Sequence, residues 1–190
     1  MKKRILFISL ALVLVLTVLM PGAALAKVEK HRPPAPAIAN FTGSGIIYVT
    51  YMPDPFIKGP IWSYRGEIAE GFLAQCDWDL LAGTAFWSSH DSIVRVDKVG
   101  NANGMMRGTF TLSQPDGILE GTFSGRIRGN LFAYTIMDEG VWTGTGGTGV
   151  FQGVKAWGTW SADLILGCIP GTSIYTLIGP VNWEGKYMTR

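Results

Sequence analysis

The chain has 190 residues, 47% of them apolar and 16% charged, with a formal net charge of +2, which suits one ordinary domain and excludes a disordered chain. Three of the basic residues, Lys2, Lys3 and Arg4, lie in a leader-like segment; past residue 26 the balance is 13 basic against 14 acidic residues. A near-neutral domain without runs of Lys or Arg has no electrostatic footprint for nucleic acid or for an anionic membrane surface.

The positive N-terminus is followed by Ile5 to Met20, a nearly unbroken apolar stretch of 16 residues, and Pro21-Gly22 breaks it before Ala24-Leu25-Ala26. That order is a secretory signal ending in an A-x-A cleavage site. As a helix the stretch would span about 24 Å, short of the roughly 30 Å hydrocarbon core of a bilayer. Cleavage after Ala26 is therefore expected, leaving a secreted or periplasmic domain without a stable membrane anchor. Lys27 to Asn40 reads KVEKHRPPAPAIAN, and its prolines Pro33, Pro34 and Pro36 mark residues 27–42 as a Pro-rich tether. Residues 43–190 remain for the folded domain. Asn40-Phe41-Thr42 fits an N-glycosylation acceptor, read as unused because the short basic leader looks bacterial.

From Phe41 onward apolar residues do not recur at helical spacing, whereas short alternating runs do. The runs are Gly45–Tyr51, Gly66–Leu73, Asp79–Trp87, Ser92–Val99, Met105–Leu112, Gly117–Arg128, Leu131–Met137, Gly153–Leu166 and Ser173–Tyr187, the last with a potential break at Gly179-Pro180. Turn signals fall between them at Pro53-Asp54-Pro55, Asn101-Ala102-Asn103-Gly104, Pro115-Asp116-Gly117, Gly129-Asn130 and Pro170-Gly171. In Gly117–Arg128 one face carries Leu119, Gly121, Phe123, Gly125 and Ile127, and the other carries Ile118, Glu120, Thr122, Ser124, Arg126 and Arg128. Glycine repeated beside large apolar residues points to coiling or close packing, with room for a large aromatic to fold over the gap, and goes with curved strands. The expected fold is all-β, a closed antiparallel barrel rather than a flat sandwich.

The segment from Gly144 to Trp160, GTGGTGVFQGVKAWGTW, resembles the glycine-rich strand pair of the allene oxide cyclase and dirigent barrel group, including small bacterial exported relatives. The group's pattern is GGTG.F.G..G.G after a strand of the G...G.F.G.I kind; Trp157 stands where a small residue is common. The resemblance implies an eight-stranded antiparallel barrel with a central cavity, running from about Gly43 to the C-terminus. It also implies an isomerase, cyclase or coupling-guide role on a small hydrophobic substrate.

Gly144 to Gly149 matches G-x-G-x-x-G in letter, but Val150-Phe151-Gln152-Gly153 supplies no following helix, so a nucleotide is not expected, nor any other cofactor. His90 is flanked by Ser88, Ser89 and Asp91, yet consecutive strand residues point to opposite faces, and a polar turn is the plainer reading. Asp77 and Asp79 would share a face around Trp78, read as a solvated strand start, and Asp138-Glu139-Gly140 reads as a turn. Neither acidic pair has calcium-loop spacing, and two cysteines with His90 and the tether's His31 make no zinc set. No catalytic residue and no metal are therefore expected. Cys76 and Cys168 are a candidate disulfide, two buried thiols being the alternative; the bond would close a loop of about 90 residues, worth roughly 4 kcal/mol.

All seven tryptophans follow the leader, and inside a barrel they either fill the core or line a site for a ring-bearing ligand. Trp142, Trp160, Phe110 and Phe123 are the candidate lining residues, with Arg126 as a candidate anchor for an acidic group. The expected function is that of an exported, non-catalytic barrel that binds a small hydrophobic or aromatic molecule or serves a structural role. Conversion of such a molecule is the alternative, and the oligomeric state stays open. Intact-mass measurement of exported protein should show Lys27 as the first residue; retention of residues 1–26 would mean an anchor instead.

Overall fold

A computed structural model describes residues 37–169 and 174–188. The leader, the tether up to Pro36 with His31, and the Pro170-Gly171 turn lie outside the described residues. The alternating runs become nine strands: β1 (Ile38–Tyr51), β2 (Phe56–Lys58), β3 (Ile61–Cys76), β4 (Ala85–Val96), β5 (Asn101–Gln114), β6 (Gly117–Asn130), β7 (Thr135–Gly147), β8 (Lys155–Cys168) and β9 (Tyr175–Met188). Each pairs antiparallel with its neighbour in the order β1-β9-β8-β7-β6-β5-β4-β3-β2, and an additional β1–β3 ladder joins the ends. Eight strands thus close into an antiparallel barrel, and short β2 hangs from the start of β3. The all-β closed barrel expected from the alternation is the fold the chain forms.

Several boundaries differ from the sequence reading, each for a packing reason. β1 begins at Ile38, inside the segment read as tether, because Phe41 is buried in the core. Asp77 to Gly83 forms turns rather than a strand: Asp77 accepts the Thr42 amide at 2.6 Å, while Trp78 and Leu81 tuck into the barrel end. Ser88 to Asp91, read as a turn, lies mid-β4, and Asp138-Glu139-Gly140 lies mid-β7. β9 runs through Gly179-Pro180 unbroken, but its ladder to β8 lapses between Ala162 and Ile165, where proline offers no N–H.

The disulfide expected between Cys76 and Cys168 is not formed. Cys76 ends β3 opposite Gly43 of β1, whereas Cys168 ends β8 opposite Tyr175 of β9. Two strands separate β3 from β8 on that side of the barrel. At about 4.8 Å per strand this is roughly 14 Å, about twice the Cα reach of a disulfide. Cys168 also lies near the opposite end of the barrel. Burial pushes the Cys76 thiol above its ordinary range.

The interior is filled unevenly. At one end Trp78 stacks on Tyr187 with centroids 4.0 Å apart, Phe41 packs against Trp78 and Trp142, and Phe151 from the turn after β7 meets the edge of Trp78. Above this plug, Phe110 meets Trp142 and Trp183 edge-on at 5.9 and 5.3 Å. The rings fit because inward glycines yield space: Gly121 pairs directly with Phe110 across the β5–β6 ladder, and a Cβ on Gly121 would run into that ring. Gly125 serves Trp160 in the same way, with 2.9 Å to a hypothetical Cβ. The Gly121→Ala substitution should therefore overpack the barrel by about 1–3 kcal/mol, lowering the thermal midpoint by several degrees. Gly146→Ala, with nothing within 4 Å of the new Cβ, should leave it unchanged.

Candidate functional site

The opposite half of the barrel encloses a cavity, and one irregularity decides which β3 residues face it. On β3, Tyr64 pairs with Ser92 and Glu67 with His90, so three residue steps on β3 match two on β4. This is a bulge, and Gly66 absorbs it with φ of +71°, a conformation that costs glycine little. Without the extra residue Tyr64 and Glu67 would point to opposite faces; with it both side chains are buried. The Asp91 carboxylate accepts the Gly66 amide at 3.0 Å and pins the bulge from outside.

Ser88, His90 and Ser92 share the inward parity of Phe86 and Val94 on β4. Glu67 Oε2 accepts the Ser92 hydroxyl at 2.6 Å and lies 3.4 Å from His90 Nε2. Placing the imidazole proton on Nε2 satisfies that contact and leaves Nδ1 a lone pair, buried and without a hydrogen-bond partner. The ring edge also packs on Phe123, 5.8 Å between centroids. From β7, Asp138 enters between Ile136 and Gly140, and its Oδ1 is likewise buried without a partner. Burial pushes the Asp138 carboxyl up to about 8, with the nearby Glu67 and Asp163 charges adding to the rise. Burial and then Glu67 also push the Tyr64 phenol up.

These groups surround a cavity of about 90 Å³ whose wall is otherwise apolar, including Val49, Ala69, Met106, Ile127 and Leu164, with Met52 and Leu131 toward the end away from the plug. Four buried side-chain polar atoms among the described residues lack a hydrogen-bond partner: His90 Nδ1, Asp138 Oδ1, Trp160 Nε1 and Trp183 Nε1. All four belong to residues that line this one cavity. Buried polar groups are nearly always paired, so four unpaired ones on residues of a single apolar cavity set it apart from the rest of the interior.

Of the four candidate lining residues, Phe110, Phe123 and Trp160 stand on the wall of the cavity. Trp142 does not; it is buried in the plug, its Nε1 donating to the Thr159 carbonyl at 3.1 Å. Arg126 is on the outer face of β6, in an open groove with Met105, Glu139 and Glu184, because its parity is opposite to that of Gly125 and Ile127. It cannot anchor a ligand inside the barrel. Tyr64, Glu67 and Trp183 are lining residues that the sequence did not single out, and His90 and Asp138 are inward strand residues rather than parts of turns. Parity with Phe86 and Ile136 could have found His90 and Asp138, but Glu67 is out of phase with Tyr64 until the bulge is known. Among the described residues no cluster of His, Cys, Asp or Glu has a metal-binding arrangement. Compared with known proteins, the chain matches no protein-family model and no curated sequence at a significant level.

The raised Asp138 pKa sets a pH dependence. The folded value of about 8 lies above the ordinary 3.8, so between those pH values the folded state keeps a proton that the unfolded chain has lost. Its contribution is intact below about pH 4 and is lost as pH rises to 8 and above. Asp138→Asn removes this dependence. Its stability relative to wild type should grow by a few kcal/mol, on the order of 5 at most, between pH 4 and pH 9. Urea denaturation of both proteins across that range checks it; a pH-independent difference would overturn the assignment.

Proposed function

We propose that the hollow half of the barrel binds a small, largely apolar, ring-bearing molecule that carries an oxygen function. The observation that carries this reading is the gathering of four unpartnered buried polar atoms on one apolar cavity. Two indole N–H groups and a neutral carboxyl offer donors to a ligand oxygen, and His90 Nδ1 offers an acceptor. An eight-stranded barrel has an interior of the size that side chains fill or one small ligand occupies. Here the aromatic plug takes one half, and the thioethers of Met52 and Met106 can shift to admit a ring in the other. Burying one ring removes about 150–250 Å² from water, about 4–6 kcal/mol before association costs, so ring burial alone gives an affinity no tighter than tens of micromolar and hydrogen bonds to the polar atoms must add to it. The leader supports a site of action outside the cytoplasm.

A second reading is conversion of the bound molecule, which the resemblance to the allene oxide cyclase and dirigent group implies. One observation favours it: titratable side chains stand on the cavity wall, where a purely structural core has no use for them.

Tryptophan fluorescence titrated with ring ketones, phenols and ring hydrocarbons of equal size tests the binding reading. Ring ketones and phenols should shift or quench the emission between tens of micromolar and millimolar concentration, with the hydrocarbons at least ten-fold weaker, about 1.4 kcal/mol for the lost hydrogen bonds. Arg126→Ala should leave affinity unchanged and Ile136→Phe, which fills the cavity, should abolish it. A flat response to every compound would leave only a structural role.

A further inference from the structure

We propose that His90, held by Glu67, and Asp138 act as a base and an acid on a bound cyclic ketone, moving a proton between two of its carbons; this enolising isomerase activity rests on the ligand-binding reading above. The geometry supplies each part. His90 is fixed through Nε2 by the Glu67 carboxylate, itself held by the Ser92 hydroxyl. This leaves Nδ1 as a buried basic atom without a competing partner. Glu67 also provides the negative charge that stabilises the imidazolium once a proton has been taken.

Asp138 sits on the same cavity with an unpartnered oxygen. With its carboxyl pushed up to about 8 by burial it is neutral near pH 7, a donor where an ionised carboxylate would repel an enolate. The titratable groups on the wall with it are Tyr64 and Glu67 from β3 and His90 from β4. β6 and β8 face it with Ile127, Trp160, Ala162 and Leu164, and Asp163 acts from the exposed side of β8.

For a ring ketone whose C=C is one carbon removed from conjugation, His90 Nδ1 takes a proton from the carbon between the C=O and the C=C. The C–H electron pair forms a new bond to the carbonyl carbon, and the carbonyl π pair moves to oxygen, which receives the Asp138 proton. The imidazolium then protonates the far alkene carbon, the dienol electrons shift back, and the reformed carbonyl returns its proton to Asp138. The C=C is now conjugated, both side chains are restored, and nothing has been oxidised or reduced. The roles are distinct: His90 and Asp138 touch the reacting atoms, and Glu67 is a positioning residue.

The test uses the unconjugated cyclohexenone, followed by the growth of conjugated-enone absorbance, and cyclohexanone in deuterated water, followed by α-carbon exchange. Wild-type protein should accelerate both over buffer. His90→Gln and Asp138→Asn should each lose about 100-fold or more while their cyclohexanone affinity, read by tryptophan fluorescence, changes only a few-fold. The wild-type rate should fall above about pH 8, as Asp138 loses its proton, and that alkaline limb should vanish in Asp138→Asn. Glu67→Gln should lower the rate, with partial recovery in Glu67→Asp. Binding of cyclohexanone without isomerisation or exchange above buffer would overturn the proton-transfer role and leave the binding reading standing. Failure to bind would overturn both.

Discussion

The β1–β3 ladder is the constraint on which the rest of this molecule depends. By joining the two ends of an antiparallel meander it removes the sheet edges and forces every second side chain of eight strands into one shared interior. In so narrow a barrel each inward position competes with its neighbours across the axis. Several large rings are accommodated where a glycine faces them, as Gly121 faces Phe110 and Gly125 faces Trp160. Closure thereby turns a local alternation into a packing problem with few solutions.

The solution adopted divides the interior by chemistry. Phe41, Trp78, Trp142, Phe151 and Tyr187 form a dense ring cluster at one end, tied down by the stack of Trp78 on Tyr187 and by the Trp142 indole hydrogen bond. The other end holds Glu67, His90 and Asp138 among aliphatic side chains. Burying these groups opposes folding: desolvation, with the Glu67 and Asp163 charges adding to it, raises the Asp138 carboxyl to about 8, and unpartnered buried polar atoms carry a desolvation penalty of about 1–3 kcal/mol each. The plug and the closed ladder offset that penalty. The same desolvation keeps the Asp138 proton in place near neutral pH, which is the property that the proposed chemistry uses.

Three strands supply the groups, and different local reasons aim them. His90 and Asp138 follow simple parity from apolar neighbours on β4 and β7. Glu67 reaches the interior only through the Gly66 bulge, which the Asp91 carboxylate secures from outside the barrel. An outer-face residue of β4 thus bears on the aim of an inner-face residue of β3, and His90 in turn is held by the Glu67 carboxylate.

Alternation, turn residues and glycines beside large apolar residues are local properties, and they were enough to read an all-β closed barrel and the apolar face of Gly117–Arg128 from the sequence, with Phe110, Phe123 and Trp160 as no more than candidates for lining a cavity. The sequence could not separate a polar turn from a polar inner face, because Ser88 to Asp91 and Asp138 to Gly140 have the composition of both, and only closure shows that their parity points inward. It could not place Cys76 and Cys168, since 92 positions along the chain do not fix how many strands lie between them. The assignment of Trp142 to the plug, Arg126 to the outer wall and Glu67 to the cavity was decided by tertiary structure alone. Register and a single bulge change which face a side chain occupies, and both are set by pairing with a distant strand rather than by neighbours in sequence.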